Sequence, residues 1–438
     1  IKDSGTLQIG IGALGDSVAY NLHLRHNENS AYNALVAASG AGEKYPDLIA
    51  RTGGTGVFDE GLYGSTEMLV DGFLQLYKNG VIKRRVYHHI GIQKLINDGK
   101  LTMEIPRNIL QMMLDDETIH PYLTQKEFEQ LQRFGVLQSD LLYENGQIIG
   151  KDRRYSALLA DPENLAAISD NCLGRQLKNG VVLTGGFFIG PQDFYDDLNA
   201  MSEDERRQFE MTGVDVANQL YGDEVLRRLQ RKNGRFCNTG MKATLLGAIS
   251  SDGLEDGTVI SGVGGQYNFV SMAHALEDGR CIMMIKSTRM EKGDALSNIV
   301  YNYAYTTIPR HLKDIVVTEY GIADLRGKCD QDVIKEMLNV ADSRFQKALL
   351  AQAKEAGKIP EDYQIPEAYT HNTPQRLAEI LGQFKAQGLF PDFPCGSAFT
   401  GEELFIAFSL KTLAAKSLLP EAAAFPDIMK KLPDQIPE

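Results

Sequence analysis

The sequence predicts an α/β protein built on a largely parallel or mixed sheet. Four compact, almost wholly apolar runs, VVLTGGFFIG (181–190), TVISGVGG (258–265), CIMMIKS (281–287) and DIVVTEYG (314–321), are separated by stretches with helical spacing. Strands that are apolar throughout, rather than alternating, are those covered by helices on both faces. The chain also opens on a strand, a glycine turn and a helix in quick succession. With 438 residues, 43% of them hydrophobic, it can bury the core of one large or two ordinary domains.

In chain order, Thr6–Ile9 reads as a short buried strand. Asp16 to Leu24 reads as a helix, with Val18, Ala19 and Leu22 on one face. Between them Gly10, Gly12 and Gly15 satisfy G-x-G-x-x-G, the spacing that cradles a dinucleotide pyrophosphate. That use requires a second strand ending in an acid about 20 residues further on. RHNENSAYN follows instead, too polar for a buried parallel strand. Two other readings stay open: a turn that packs strand and helix closely, or a loop offering backbone N–H groups to an anion or oxyanion.

Met68–Asn79 has the spacing of a short amphipathic helix, with Thr66 as N-cap and Gly80 as stop. Glu67 then sits at the positive end of that helix. An acid there stabilises the helix by about 0.3–1 kcal/mol. If N–H donors converge on it, the same carboxylate can attack an acyl carbon. Residues 91–180 are more charged and carry LTQKEFEQLQRFGVL, a helix N-capped by Thr124, and read as an insertion or subdomain. Gly262, Gly264 and Gly265 lie between TVI and the helix-like FVSMAHAL, as a tight turn or as an anion-binding nest. Glu319, after the DIVVT strand, is either a rival catalytic acid or a structural carboxylate paired with Arg326 or Lys328. Beyond residue 350 proline and lysine rise, and two helical patterns lead to a Pro-rich end, read as a peripheral extension.

Several classes are disfavoured. A net charge of −13 and no block of five basic residues argue against nucleic-acid or anionic-membrane surfaces. No apolar run reaches a membrane span and no signal peptide is visible. The five cysteines are far apart, which argues against a disulfide framework or a cysteine zinc site and fits a reducing cytoplasm. His88 and His89 are adjacent and no H-E-x-x-H occurs, so no metal is expected. No G-x-S-x-G is present.

Taken in order, LQIGIGALGDSV, STEMLVDGFLQLYKNGVI, GVGGQYNF and DIVVTEYGIADLRGK resemble the acetyl-CoA hydrolase/transferase family, a branch of the class I coenzyme A transferases. The resemblance implies an open sheet flanked by helices, with residues 1–90 and 181–350 as the α/β catalytic domain. Residues 91–180 then form a helical insertion and 351–438 a C-terminal extension. It implies that Glu67 is the nucleophile, within a motif completed by Thr66, Asp71 and Gly72. Oxyanion donors are implied at Ile11 or Gly12 and at Gly265, with Gly262, Gly264, Gln266 and Asn268 contacting coenzyme A. The implied activity is CoA transfer from a short-chain acyl-CoA to a carboxylate through a covalent glutamyl-CoA thioester; the alternatives are hydrolysis of the acyl-CoA by the same glutamate, or acyl-CoA binding without catalysis. Coenzyme A is then a substrate rather than a resident cofactor, in a cytoplasmic homo-oligomer. The chain departs from the family in the stretch 31–58, in Asn268 where Asp is expected, and in Met272-Ala273 where Arg-Gly is expected. The family has two similar α/β halves, and a chain that begins at Ile1 is expected to start at the second.

Overall fold

The computed structural model describes residues 1–397 and 399–417. Eight strands form its main sheet: Thr6–Ile9 (β1), Tyr63–Leu69 (β2), Leu183–Phe188 (β3), Phe209–Met211 (β4), Gly234–Thr239 (β5), Arg280–Met284 (β6), Ile315–Thr318 (β7) and Gly321–Asp324 (β8). Their order is β8-β7-β6-β5-β1-β2-β3-β4. All neighbours run parallel except β8, which turns back against β7. The carboxyl ends of the parallel strands therefore share one edge.

Helices cover both faces. Ala13–Asn27 (α1) and Asp71–Lys78 (α5) bury Ala19, Leu22, Phe73 and Leu74 over Leu7 and Ile9 of β1. On the other wing Gln266–Ala275 (α7) and Asp330–Asn339 (α8) bury Val270, Met272, Val333 and Met337 against Phe236, Met283 and Val316. Each such side chain contributes about 1.5–3 kcal/mol on leaving water. Where a dinucleotide fold would place its second strand, the chain forms three helices, Asn29–Ala38 (α2), Ala41–Lys44 (α3) and Pro46–Thr52 (α4). They dock on the far edge of the sheet, where Arg51 pairs with Asp324 of β8 at 2.8 Å and the Ile322 N–H donates to the Tyr45 hydroxyl at 3.1 Å. The hairpin edge is thereby covered, which blocks pairing with foreign strands.

Residues Tyr87 to Leu177 bury a separate apolar cluster. It rests on the helices Ile90–Asn97, Ile109–Asp115, Gln125–Arg133 and Pro162–Asn171 and on a three-stranded antiparallel meander between Leu142 and Ser156. After Ser343–Glu355 (α9), the helix Pro374–Lys385 (α10) leads to a segment that returns to the core. Cys395 joins the cluster beneath α1 and α5, so part of the extension packs into the core. The Pro-rich end after residue 417 lies outside the described residues.

Two local expectations are overturned. Met68 and Leu69 belong to β2, paired with Phe187 and Phe188 of β3, and the helix begins only at Asp71 after an extended Val70. Thr66 is a buried strand residue whose hydroxyl donates to the carbonyls of Ile9 and Met68, not a cap. The run 258–265 forms no strand; it makes one isolated bridge, Gly253 to Val259. The position beside β5 is filled by β6, so this apolar run loops over the edge with Val259 65% and Ile260 51% exposed.

Candidate active site

From β1 the chain builds outward through β2, β3 and β4 on one side, then crosses to β5 and builds outward through β6 and β7 on the other. The connections therefore diverge beside β1. In open α/β sheets the crevice outside the carboxyl ends at such a point is where ligands bind. The first glycine loop leaves β1 there and the second loop arrives there, between β5 and α7.

Glu67 lies near the carboxyl end of β2 and is half-buried. The pairing Thr6 with Tyr63 and Leu7 with Gly64, carried forward, sets Gly10 beside Glu67. From the other wing the 264–265 peptide closes on the same carboxylate. A Cβ at Gly265 would collide with Glu67 Oε2, and one at Gly264 would lie 3.5 Å from Oε1. Gly264 also has φ +57, a conformation that glycine adopts without strain. Gly12 and Gly265 are the residues preceding α1 and α7, so two helix N-termini, with their partial positive charge, face the crevice. Among the described residues the amides of Ile11, Gly12, Gly264 and Gly265 have no protein acceptor. Gly15 has a different task, since a Cβ there would strike the Gly10 carbonyl; it lets α1 leave the strand steeply.

Asn218, which the sequence reading missed, donates through Nδ2 to Glu67 Oε2. It is buried and follows the short helix Val214–Ala217 (α6). Gly186 of β3 admits that helix, because a Cβ there would lie 2.7 Å from Val214 Cγ1 and 2.9 Å from the Glu67 carbonyl oxygen. Arg231, buried, braces the turn from beneath by donating to the carbonyls of Val216 and Gln219 and to the Met272 sulfur at 3.0 Å. Burial lowers the Arg231 pKa to about 10. Met272 thus faces this brace.

The other expected residues are distributed unevenly. Gln266 donates to the Thr239 carbonyl at the end of β5, 2.7 Å away, and ties the second loop to the sheet. Its Oε1 is buried without a partner. Gly262 is exposed in open space. Asn268 is half-buried in the first turn of α7. Glu319 is separated from Glu67 by the width of four strand spacings, about 19 Å at 4.8 Å each, and accepts from the Ser287 N–H at 2.8 Å. It pairs with neither expected cation: Arg326 is held by the buried Asp314 at 2.5 Å and Lys328 by Glu336. Asp314 captures Arg326 because it already accepts from Arg280 and from the Cys281 N–H, a buried charge that needs every donor. Among the described residues no three His, Cys, Asp or Glu side chains converge as a metal-ligand set.

Residues 190–353 match the family model for the acetyl-CoA hydrolase/transferase C-terminal domain. Over that segment the chain is similar to the acetyl-CoA hydrolase/transferase family. Among curated relatives, the chain is 30% identical over 171 residues to 4-hydroxybutyrate coenzyme A transferase of Clostridium kluyveri, covering 38% of this chain and 37% of that protein. It is 30% identical over 179 residues to butyryl-CoA:acetate CoA-transferase of Anaerostipes caccae, covering 40% and 37%. It is 32% identical over 136 residues to acetyl-CoA hydrolase of Yarrowia lipolytica, covering 30% and 24%. RipA from Yersinia pestis is a structural neighbour with a TM-score of 0.45 at 20% identity, covering 82% of this chain and 51% of that one. The matched segment contains Asn218, Arg231 and the Gly262–Gln266 loop, while Glu67 and the first glycine loop lie before it. No helix among the described residues is long and apolar enough to cross a membrane.

Proposed function

We propose that this protein carries the reacting centre of an acyl-CoA:carboxylate CoA-transferase, with Glu67 as the nucleophile. The observation that carries the reading is the closure of the 264–265 peptide on the Glu67 carboxylate. In this reading residues 1–90 and 181–350 form the catalytic domain, with 91–180 as a subdomain and 351–438 as an extension.

A Glu67 oxygen attacks the thioester carbonyl carbon; the C–S bond breaks, CoA leaves as thiolate, and an acyl-glutamyl anhydride remains. The thiolate then attacks the Glu67 Cδ, forming a glutamyl-CoA thioester and releasing the donor's carboxylate. An acceptor carboxylate repeats the two steps in reverse and leaves as acyl-CoA, so no net proton is needed. A carboxylate is a weak nucleophile, and the barrier falls through amides aimed at the oxyanion. Each such donor is worth about 2.7–4 kcal/mol. Ile11 or Gly12 from one loop and Gly265 from the other are assigned that role. Asn218 orients the carboxylate and is a positioning residue. Exposed apolar side chains on the same edge, Ile11, Val263 and Tyr267, suit the uncharged part of an acyl-CoA. If water reaches the anhydride or the glutamyl thioester, the same steps give hydrolysis. The relative named acetyl-CoA hydrolase favours keeping this second outcome.

Incubation with acetyl-CoA followed by borohydride is expected to reduce one glutamyl thioester, located by peptide mass at Glu67. Label at Glu319, or thioester turnover that survives Glu67→Gln in a folded protein, overturns the assignment. Comparing turnover with and without acetate separates transfer from hydrolysis.

A further inference from the structure

A second concavity, of about 220 Å³, lies at the opposite wing of the sheet, beyond the end of β7. One wall is α2 and α3; the other is α10. Leu35, Leu377 and Leu381 give it apolar sides, and the rings of Tyr45 and Tyr320 lie toward the sheet. Tyr45 is fixed there by its bond from the Ile322 N–H, and Gly321 lacks the Cβ that would strike its hydroxyl.

The charges lining this cavity are unbalanced. Lys44 and Arg376 both line it, and among the described residues neither has a carboxylate partner. Burial, and then the charge of Arg376, hold the Lys44 ammonium below its ordinary pKa. Lys44 otherwise meets only the face of Tyr369, at 5.2 Å. The one acid on the wall, Glu319, accepts from the Ser287 N–H and offsets one of the two cations, so the lining keeps a net positive charge. Two cations that repel each other across apolar walls are stabilised when an anion joins them. A concave apolar site with a few converging polar groups is the usual form of a small-molecule site.

We propose that this cavity binds an organic anion, an oxyanion head held by Lys44 and Arg376 with a short apolar tail between α2 and α10, at a site separate from Glu67. The head is a carboxylate or a phosphate monoester. Hexanoate, hexyl phosphate and the neutral control 1-hexanol, titrated calorimetrically into the full chain, test this. At least one of the two anions is expected to bind saturably, and 1-hexanol at least tenfold more weakly. Glu67→Gln should leave the affinity within twofold, and Lys44→Met/Arg376→Gln should weaken it at least tenfold. Arg376 is exposed, so Arg376→Gln alone, expected to weaken binding at least threefold, serves if the double variant fails to fold. Absence of saturable binding, equal binding of 1-hexanol, unchanged affinity in the Arg376 variants, or loss of binding in folded Glu67→Gln overturns the proposal.

Discussion

A methyl group added at residue 265 tests the candidate site at its smallest scale. The Cβ of Gly265→Ala would occupy the space of Glu67 Oε2 and Asn218 Nδ2, so the carboxylate and the amide donor must separate. Loss of one well-placed oxyanion donor alone costs about 10²–10³ in rate. The expected outcome is a kcat reduced by at least that factor in a protein that still folds but unfolds at a somewhat lower temperature, since the added methyl overpacks a buried site, read by CoA exchange and circular dichroism. Asn218→Asp keeps the shape but puts a second carboxylate against the first. Like charges at that distance hold one proton to higher pH, so the acid limb of kcat/KM should move upward by about one pH unit or more. Asn218→Ala should lower the rate without moving that limb. Glu67 and the paired glycines stand out in the sequence, but locally an acid near a helix start and glycines at strand-to-helix turns fit a helix-end charge and tight turns equally well, and only the ordered set of motifs, through its resemblance to a family, singles them out. Asn218 leaves none: it is one polar residue in NQLYG, and its partner is 151 positions away.

Among the elements, those with strong local instructions were read correctly and those decided by their neighbours were not. Thr124 caps Gln125–Arg133 and forms the full capping box with Glu127, as the sequence spacing indicates. At Glu127 burial acts to raise the pKa, but hydrogen bonds from Thr124 and His120 outweigh it and bring it to about 2 from an ordinary 4.5. A depressed carboxylate pKa contributes stability that is fully present above the unfolded value, near 4.5, and is lost as pH falls through about 2. Thr124→Ala should destabilise the protein by about 1 kcal/mol at neutral pH, and its stability should fall less steeply between those two pH values. Urea unfolding followed across that range checks both. By contrast, the apolar run at 258–265 looked like a strand on composition alone. Whether such a run is a strand depends on a free place in a sheet, and β5 and β6 already occupy the ground.

At the scale of the whole molecule, fold class was readable while strand order was not. Compact apolar runs such as CIMMIKS and DIVVT announce strands covered on both faces, and both became parallel neighbours, β6 and β7. That β5 crosses back to the other side of β1 is a tertiary choice, recorded in no single segment, and it is the choice that creates the crevice. The return of Cys395 to the packing beneath α1 and α5 was equally invisible, since the residues around it are too few and too mixed to show a period. Because the two wings are threaded outward from a fixed middle, pieces can be attached outside it, as α2 to α4 are on the far edge and the block from Tyr87 to Leu177 is between β2 and β3 in chain order. A lineage can thus re-tailor the rim that greets its visitors while the seam where the reaction is housed keeps its shape.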